Sequence, residues 1–137
     1  MSSAATPLQE VLDYLKKAGV FYLATSENGQ PRVRPFGAAA EFEDKIYMVT
    51  NNRKKCFDQM VKDDRIELSA MVENTWIRVE AKAGFDSRRE ARVKMLEEYP
   101  SLSNMYSADD SKMEAMYLKD AKAAIYSFGG DTKVLEF

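Results

Sequence analysis

The chain contains no histidine and a single cysteine, Cys56. The first absence removes the common zinc sites and the His-based catalytic triads. The second excludes an internal disulfide framework and fits a reducing compartment. With four prolines and six glycines there is no low-complexity tract, and no repeat of solenoid period appears. No apolar run approaches the length needed to span a bilayer, and the N-terminus lacks the charged-then-apolar pattern of a signal peptide. A cytoplasmic protein with no membrane partner is therefore expected. Nor is there an excess of positive charge: the formal net charge is -2, which offers no general attraction to nucleic acid. What is present is the composition of a globular protein, 45% hydrophobic and 31% charged over 137 residues. That length suits one domain, residues 1–137, with disorder confined to the opening MSSAA.

Hydrophobic period and turn chemistry divide the chain. Thr6 to Ala18 reads as a helix, with Thr6 and Gln9 at capping-box spacing, Pro7 at the first position and Gly19 after the end. Leu8, Val11, Leu12 and Leu15 form its apolar stripe, so this N-terminal segment, residues 1–19, is expected to pack on a sheet. Val20–Ser26 is a strand, and Glu27-Asn28-Gly29-Gln30 a tight hairpin turn. The chain returns along Pro31–Phe42, where the two prolines predict an edge or a bulge near Arg34.

After a turn at Glu43-Asp44, Lys45–Thr50 is a third strand, with Ile46, Met48 and Thr50 on one face and Tyr47 and Val49 on the other. A helix follows Asn51-Asn52, with Phe57, Met60 and Val61 inward, and stops at Asp63-Asp64. Arg65–Val72 and Trp76–Phe85 are strands, the latter alternating Ile77, Val79, Ala81 and Ala83 against Trp76, Arg78, Glu80 and Lys82. Ser87–Glu98 is a helix with Ser87 and Glu90 at capping-box spacing. Ser101–Lys119 reads as a loop with helical turns around Lys112–Tyr117, and the chain closes with a hairpin of Ala121–Phe128 and Thr132–Phe137. The fold class is mainly β with inserted helices, a six- or seven-stranded antiparallel Greek-key barrel.

Chemistry concentrates between Phe21 and Lys55. Arg32 and Arg34 stand at strand spacing, either as a solvated face or as part of a site; the Pro35-Phe36-Gly37-Ala38-Ala39 run beside them leaves room for a flat ligand near the backbone. Thr50-Asn51-Asn52-Arg53-Lys54-Lys55 marks the change from strand to helix. Three consecutive cations at a helix start oppose the macrodipole unless an anion is bound, so the run reads as a phosphate site or, failing that, as a solvated charge cluster. The glycines of a Walker A loop are absent. Trp76 offers a ring for stacking or a core position. Cys56 reads as a structural thiol rather than an activated one, since no histidine serves it as base. The pairs Glu41 with Glu43 and Asp109 with Asp110 read as turn and surface residues.

Taken in order, YLATSENGQPRVRPFG, IYMVTNNRKK, DDRIELSAM and WIRVEAKAGF resemble the pyridoxamine 5'-phosphate oxidase-like family of FMN-binding split barrels. The resemblance runs from about Val20 to Phe137. It implies a homodimer with FMN in clefts between subunits, a small-molecule substrate and an oxidoreductase that moves electrons or hydride. It further implies flavin contacts from Arg34, Pro35, Phe36, Val49, Thr50, Asn51 and Trp76, with Lys55 on the phosphate and Lys54 or Arg53 as its helper. The oxidase that makes pyridoxal phosphate carries a C-terminal arginine and histidine; this chain ends GGDTKVLEF and has neither there. The missing histidine also sets it apart from relatives that place one near the flavin or on haem iron. Two alternatives share the fold, a non-catalytic FMN-binding or sensing module and a deazaflavin-dependent reductase.

Overall fold

A computed structural model describes residues 5–137; the expectation of disorder at the N-terminus falls mainly on residues outside that range. The elements are helix α1 (Pro7–Ala18), strands β1 (Phe21–Glu27), β2 (Gln30–Phe36), β3 (Ala40–Phe42) and β4 (Lys45–Asn51), helix α2 (Lys55–Lys62), strands β5 (Arg65–Val72) and β6 (Thr75–Asp86), helix α3 (Arg89–Glu98), a 3-10 helix (Pro100–Asn104), and strands β7 (Met113–Ser127) and β8 (Lys133–Glu136). All pairings are antiparallel.

The local rules that placed these elements act as anticipated at several points. The Thr6 hydroxyl accepts from the Gln9 N–H at 3.2 Å, and Gly19 terminates α1 at φ 79°. Asn28 and Gly29, at φ 52° and 84°, give the β1–β2 hairpin the paired left-handed residues that match strand twist. On β6, Ile77, Val79, Ala81 and Ala83 are buried while Arg78, Glu80 and Lys82 are exposed.

The sheet order is β2-β1-β5-β6-β7-β4-β3, with β8 added on β7. Its two end strands, β2 and β3, are consecutive in the chain, joined through Gly37–Ala39 but not paired with each other. The barrel is therefore split at that linker. Strand β7 spans both halves: Met113–Tyr117 pairs with β4, and Lys122–Ile125 pairs with β8. The main core gathers Val11, Leu12 and Leu15 of α1 with Phe21, Leu23, Ile46, Met48, Leu68, Ile77 and Val79. A second, smaller core holds Tyr47, Ala91, Met95, Met113 and Ala115 between the β4–β7 pair and α3.

Five expectations are corrected. Of the edge or bulge expected near Arg34, the strand supplies the edge: β2 pairs with β1 alone, in unbroken register from Gln30 to Phe36, and what was read as one strand to Phe42 is interrupted at Gly37–Ala39. The irregularity lies instead between Glu80 and Lys82 of β6. The Lys112–Tyr117 region is strand from Met113 on, with Met113, Ala115 and Tyr117 on one face and Glu114 and Met116 on the other, and it pairs with β4 and β6. Val61 is exposed, at 59%, leaving Cys56, Gln59 and Met60 as the buried face of α2. Ser87 does not cap α3, whose N-cap is Arg88 with no side-chain cap bond; the Ser87 carbonyl instead accepts from Arg92. Splitting the return strand brings the total among the described residues to eight strands, where six or seven were expected.

Candidate functional site

The split opens into a cleft of about 370 Å³ lined by Arg34 to Ala38, by Val49 and Thr50, by Lys54 and Cys56, and by Tyr99, Ser101, Leu102, Met105 and Tyr106. That volume lies in the range of small-molecule sites. A larger hollow of about 470 Å³ lies beside the β6 irregularity, but its rim mixes Arg65, Lys82 and Lys122 with Glu67, Glu80 and Asp120, so its charges cancel. Among the described residues, none on the lining of the cleft at the split is a carboxylate.

Arg34 is held from below. One of its terminal nitrogens donates to the Thr25 hydroxyl at 2.8 Å and the Leu23 carbonyl at 3.3 Å, and the other to Gln59 Oε1 at 2.8 Å. Thr25 Oγ1 also donates to Gln59 Oε1, at 2.5 Å. Thr25 and Gln59 are buried, at 4% and 5% exposure, so their polar groups need these partners. Arg32 points elsewhere, to Glu27 at 3.0 Å across the hairpin. Hydrogen bonds from Gln59 and then Arg32 hold the Glu27 carboxyl below its ordinary value.

The other end of the cleft is the start of α2. Its N-cap is Lys54, which makes no side-chain cap bond, and Lys55 and Cys56 follow. Helix starts ordinarily carry Ser, Thr, Asp or Asn, whose oxygens accept the free N–H groups. Here a cation stands in that place beside the positive end of the helix. Thr50 is buried at 4%. Cys56, 7% exposed, has its thiol pushed above the ordinary value by burial, against the opposing charges of Arg34 and Lys54.

Of the residues singled out in the sequence, Arg34, Pro35, Phe36, Val49, Thr50 and Lys54 meet around this cleft. Asn51 and Lys55 lie next to it without lining it; the Asn51 side chain accepts from the Arg53 N–H at 2.9 Å, and Lys55 is exposed. Trp76 is placed away from this cleft, stacked on Tyr126 with centroids 5.3 Å apart and leaning on Phe128 at 4.9 Å. The sequence reading missed Thr25, Gln59, Tyr99, Leu102, Met105 and Tyr106. Thr25 and Gln59 do leave a signal, each being a polar residue on an otherwise apolar face: Thr25 with Phe21 and Leu23, Gln59 with Cys56 and Met60.

An antiparallel barrel whose end strands follow one another in the chain yet stay unpaired, with an uncapped helix start facing the gap, defines the split-barrel class. Within that class the chain belongs to the pyridoxamine 5'-phosphate oxidase family, whose pattern it matches over residues 8–127. It is similar to a NimC/NimA family protein of Clostridium acetobutylicum, 45% identical with a TM-score of 0.93, covering 96% of this chain and 92% of that one. A pyridoxamine 5'-phosphate oxidase-related, FMN binding protein of Nostoc punctiforme is 14% identical with a TM-score of 0.67, covering 98% of both chains. A heme binding protein of Mycobacterium smegmatis is 13% identical with a TM-score of 0.74, covering 98% of this chain and 60% of that one. The last two share the fold. No curated protein matches the sequence.

Proposed function

We propose that this chain is an FMN-binding flavoprotein that acts as an oxidoreductase on a small substrate. The observation that carries the reading is the uncapped start of α2 at the end of a carboxylate-free cleft, with Lys54 on its lining. A phosphate there would meet free N–H groups, the helix dipole and a cation together, which is the chemistry of anion binding at helix starts. The linker Pro35–Ala38 beside it is suited to a flat ring, because Gly37 and Ala38 keep the wall close to backbone. Val49 and Thr50 form the base of the same space. These residues fit the cofactor: Lys54, with Lys55 next to it, would hold the phosphate, and Arg34, fixed by Thr25 and Gln59, would set the charge beside the ring.

Bound FMN would supply the electron or hydride transfer, leaving the protein to orient it and exclude water. The Cys56 thiol on the lining is pushed above its ordinary value by burial, which disfavours the nucleophilic thiolate.

The protein is proposed to be a homodimer of cytoplasmic location. In support, Met71 and Phe128 are 60% and 72% exposed and lie with Trp76 and Tyr126 on one patch of the outer face. Patches of this kind mark protein contacts. No helix among the described residues is long and apolar enough to cross a membrane.

Titration of purified protein with FMN, followed by quenching of flavin fluorescence, tests the binding. Reoxidation of the photoreduced complex by quinone, nitroaromatic and oxygen acceptors then separates enzyme from module. Acceptor reduction faster than that by free flavin supports turnover, and equal rates favour the non-catalytic module.

A further inference from the structure

The linker that walls the cleft has left both ladders. Pairing of β2 with β1 ends at Phe36, and pairing of β3 with β4 begins at Ala40. Ala39, between them, is 1% exposed, so its backbone N–H and C=O have no strand partner and no access to water. Both are satisfied by one hydroxyl. The Ala39 N–H donates to Tyr99 Oη at 3.2 Å, and the Tyr99 O–H donates to the Ala39 carbonyl at 2.9 Å.

Tyr99 is placed for this by the end of α3. It is the C-cap of that helix, its N–H bonded to the Met95 carbonyl at 2.9 Å, and its own carbonyl accepts from Leu102 at 2.9 Å to start the 3-10 helix. Met95 is fully buried in the second core, so the ring stands on a rigid base. The same ring lines the cleft opposite Gly37 and Ala38.

We infer that Tyr99 is a positioning residue for the cofactor site: its hydroxyl stands in for the missing neighbouring strand and fixes the Gly37–Ala39 backbone against which the ring of the ligand lies. The inference rests on the reading of the cleft given above. A hydroxyl that both gives and receives on one residue holds the peptide's orientation as well as its distance, which a packing contact alone does not do.

The test compares Tyr99→Phe with Tyr14→Phe in the full chain. Tyr14 also loses a short hydroxyl bond, 2.6 Å to Thr75 Oγ1, but is not on the cleft lining. In ligand-free protein, amide exchange by NMR should show the Ala39 N–H protected relative to those of Gly37 and Ala38. Tyr99→Phe should speed its exchange about tenfold or more, the equivalent of losing one buried bond, and Tyr14→Phe should not. FMN affinity should fall by about tenfold in Tyr99→Phe, with a changed visible circular dichroism of the bound flavin, and stay unchanged in Tyr14→Phe.

An Ala39 amide that exchanges as fast as its neighbours in the unmodified protein overturns the inference, even if Tyr99→Phe fails to fold. So does equal loss of FMN affinity in both variants. Should the unmodified protein take up no FMN while Ala39 protection still depends on Tyr99, the latch stands and the cofactor reading falls.

Discussion

Arg34 and Lys54 were legible as residues because charges in unusual places are visible in a sequence: one beside Pro-Phe-Gly-Ala-Ala, the other at a helix start. Their supports were less so. Gln59 is recognisable only once the register of α2 is known, and Tyr99 reaches Ala39 across 60 positions of chain. Lys54→Ala should weaken FMN binding by about 1.5–3 kcal/mol, the range for a bond to a charged group. Lys55→Ala should cost less, since that residue lies beyond the lining. Titrations at low and high salt check both, each effect shrinking as salt rises. At Cys56, burial keeps the thiol protonated, so alkylation by iodoacetamide near neutral pH should be far slower in the folded chain than after denaturation. Equal rates would show the thiol to be open and ionised.

At the scale of elements, what the sequence announced was whatever local chemistry decides. The caps of α1, the Asn-Gly turn and the alternation of β6 need no distant partner. The N-terminal half of β7 was misread because short mixed runs of Met, Glu, Ala and Tyr satisfy helical and strand periods alike, and pairing to β4 decides between them. The prolines of β2 signalled its place at the sheet edge, but the split at Gly37–Ala39 was hidden, since no local signal there separates a break from a continuous strand. A further feature of β6 depends wholly on tertiary placement. Gly84 lies under the Tyr117 ring of β7, and a Cβ there would fall 2.4 Å from that ring. Tyr117 in turn packs on Tyr47, with centroids 5.3 Å apart, so it has little room to retreat. Gly84→Ala should therefore destabilise the fold by about 1–3 kcal/mol, the usual cost of overpacking. Urea denaturation measures it, and an unchanged midpoint would contradict the packing described.

For the molecule as a whole, pH dependence of stability centres on a charged cluster beside the second core. Arg88 bridges Asp86 at 2.8 Å and Glu43 at 2.6 Å, and the Tyr47 hydroxyl donates to Asp86 at 2.6 Å. The Arg88 guanidinium, with Tyr47 assisting, holds the Asp86 carboxyl far below its ordinary value of 3.8, and the same guanidinium lowers Glu43. Arg65 likewise pulls Asp63 down to about 2. A carboxylate with a lowered value in the fold contributes stability that is complete above its unfolded value and is lost as pH falls through the folded one. Thermal stability should accordingly decline from about pH 4 towards pH 2 and below. Asp86→Asn should start lower and decline less steeply, whereas an identical pH slope would remove Asp86 from the account. Sedimentation equilibrium addresses assembly: a homodimer is expected, dissociated by Phe128→Lys if the outer aromatic patch is the contact.

The central claim is that the gap in the barrel takes a phosphate at the start of α2 and a planar ring along the linker. Calorimetric titration of the same protein with FMN and with riboflavin, which differ in the phosphate alone, tests it most directly. The account predicts that FMN binds at one per chain, about a hundredfold more tightly than riboflavin, as two or so charge-assisted bonds would provide. Equal affinities for the two, or no heat from either, would contradict it.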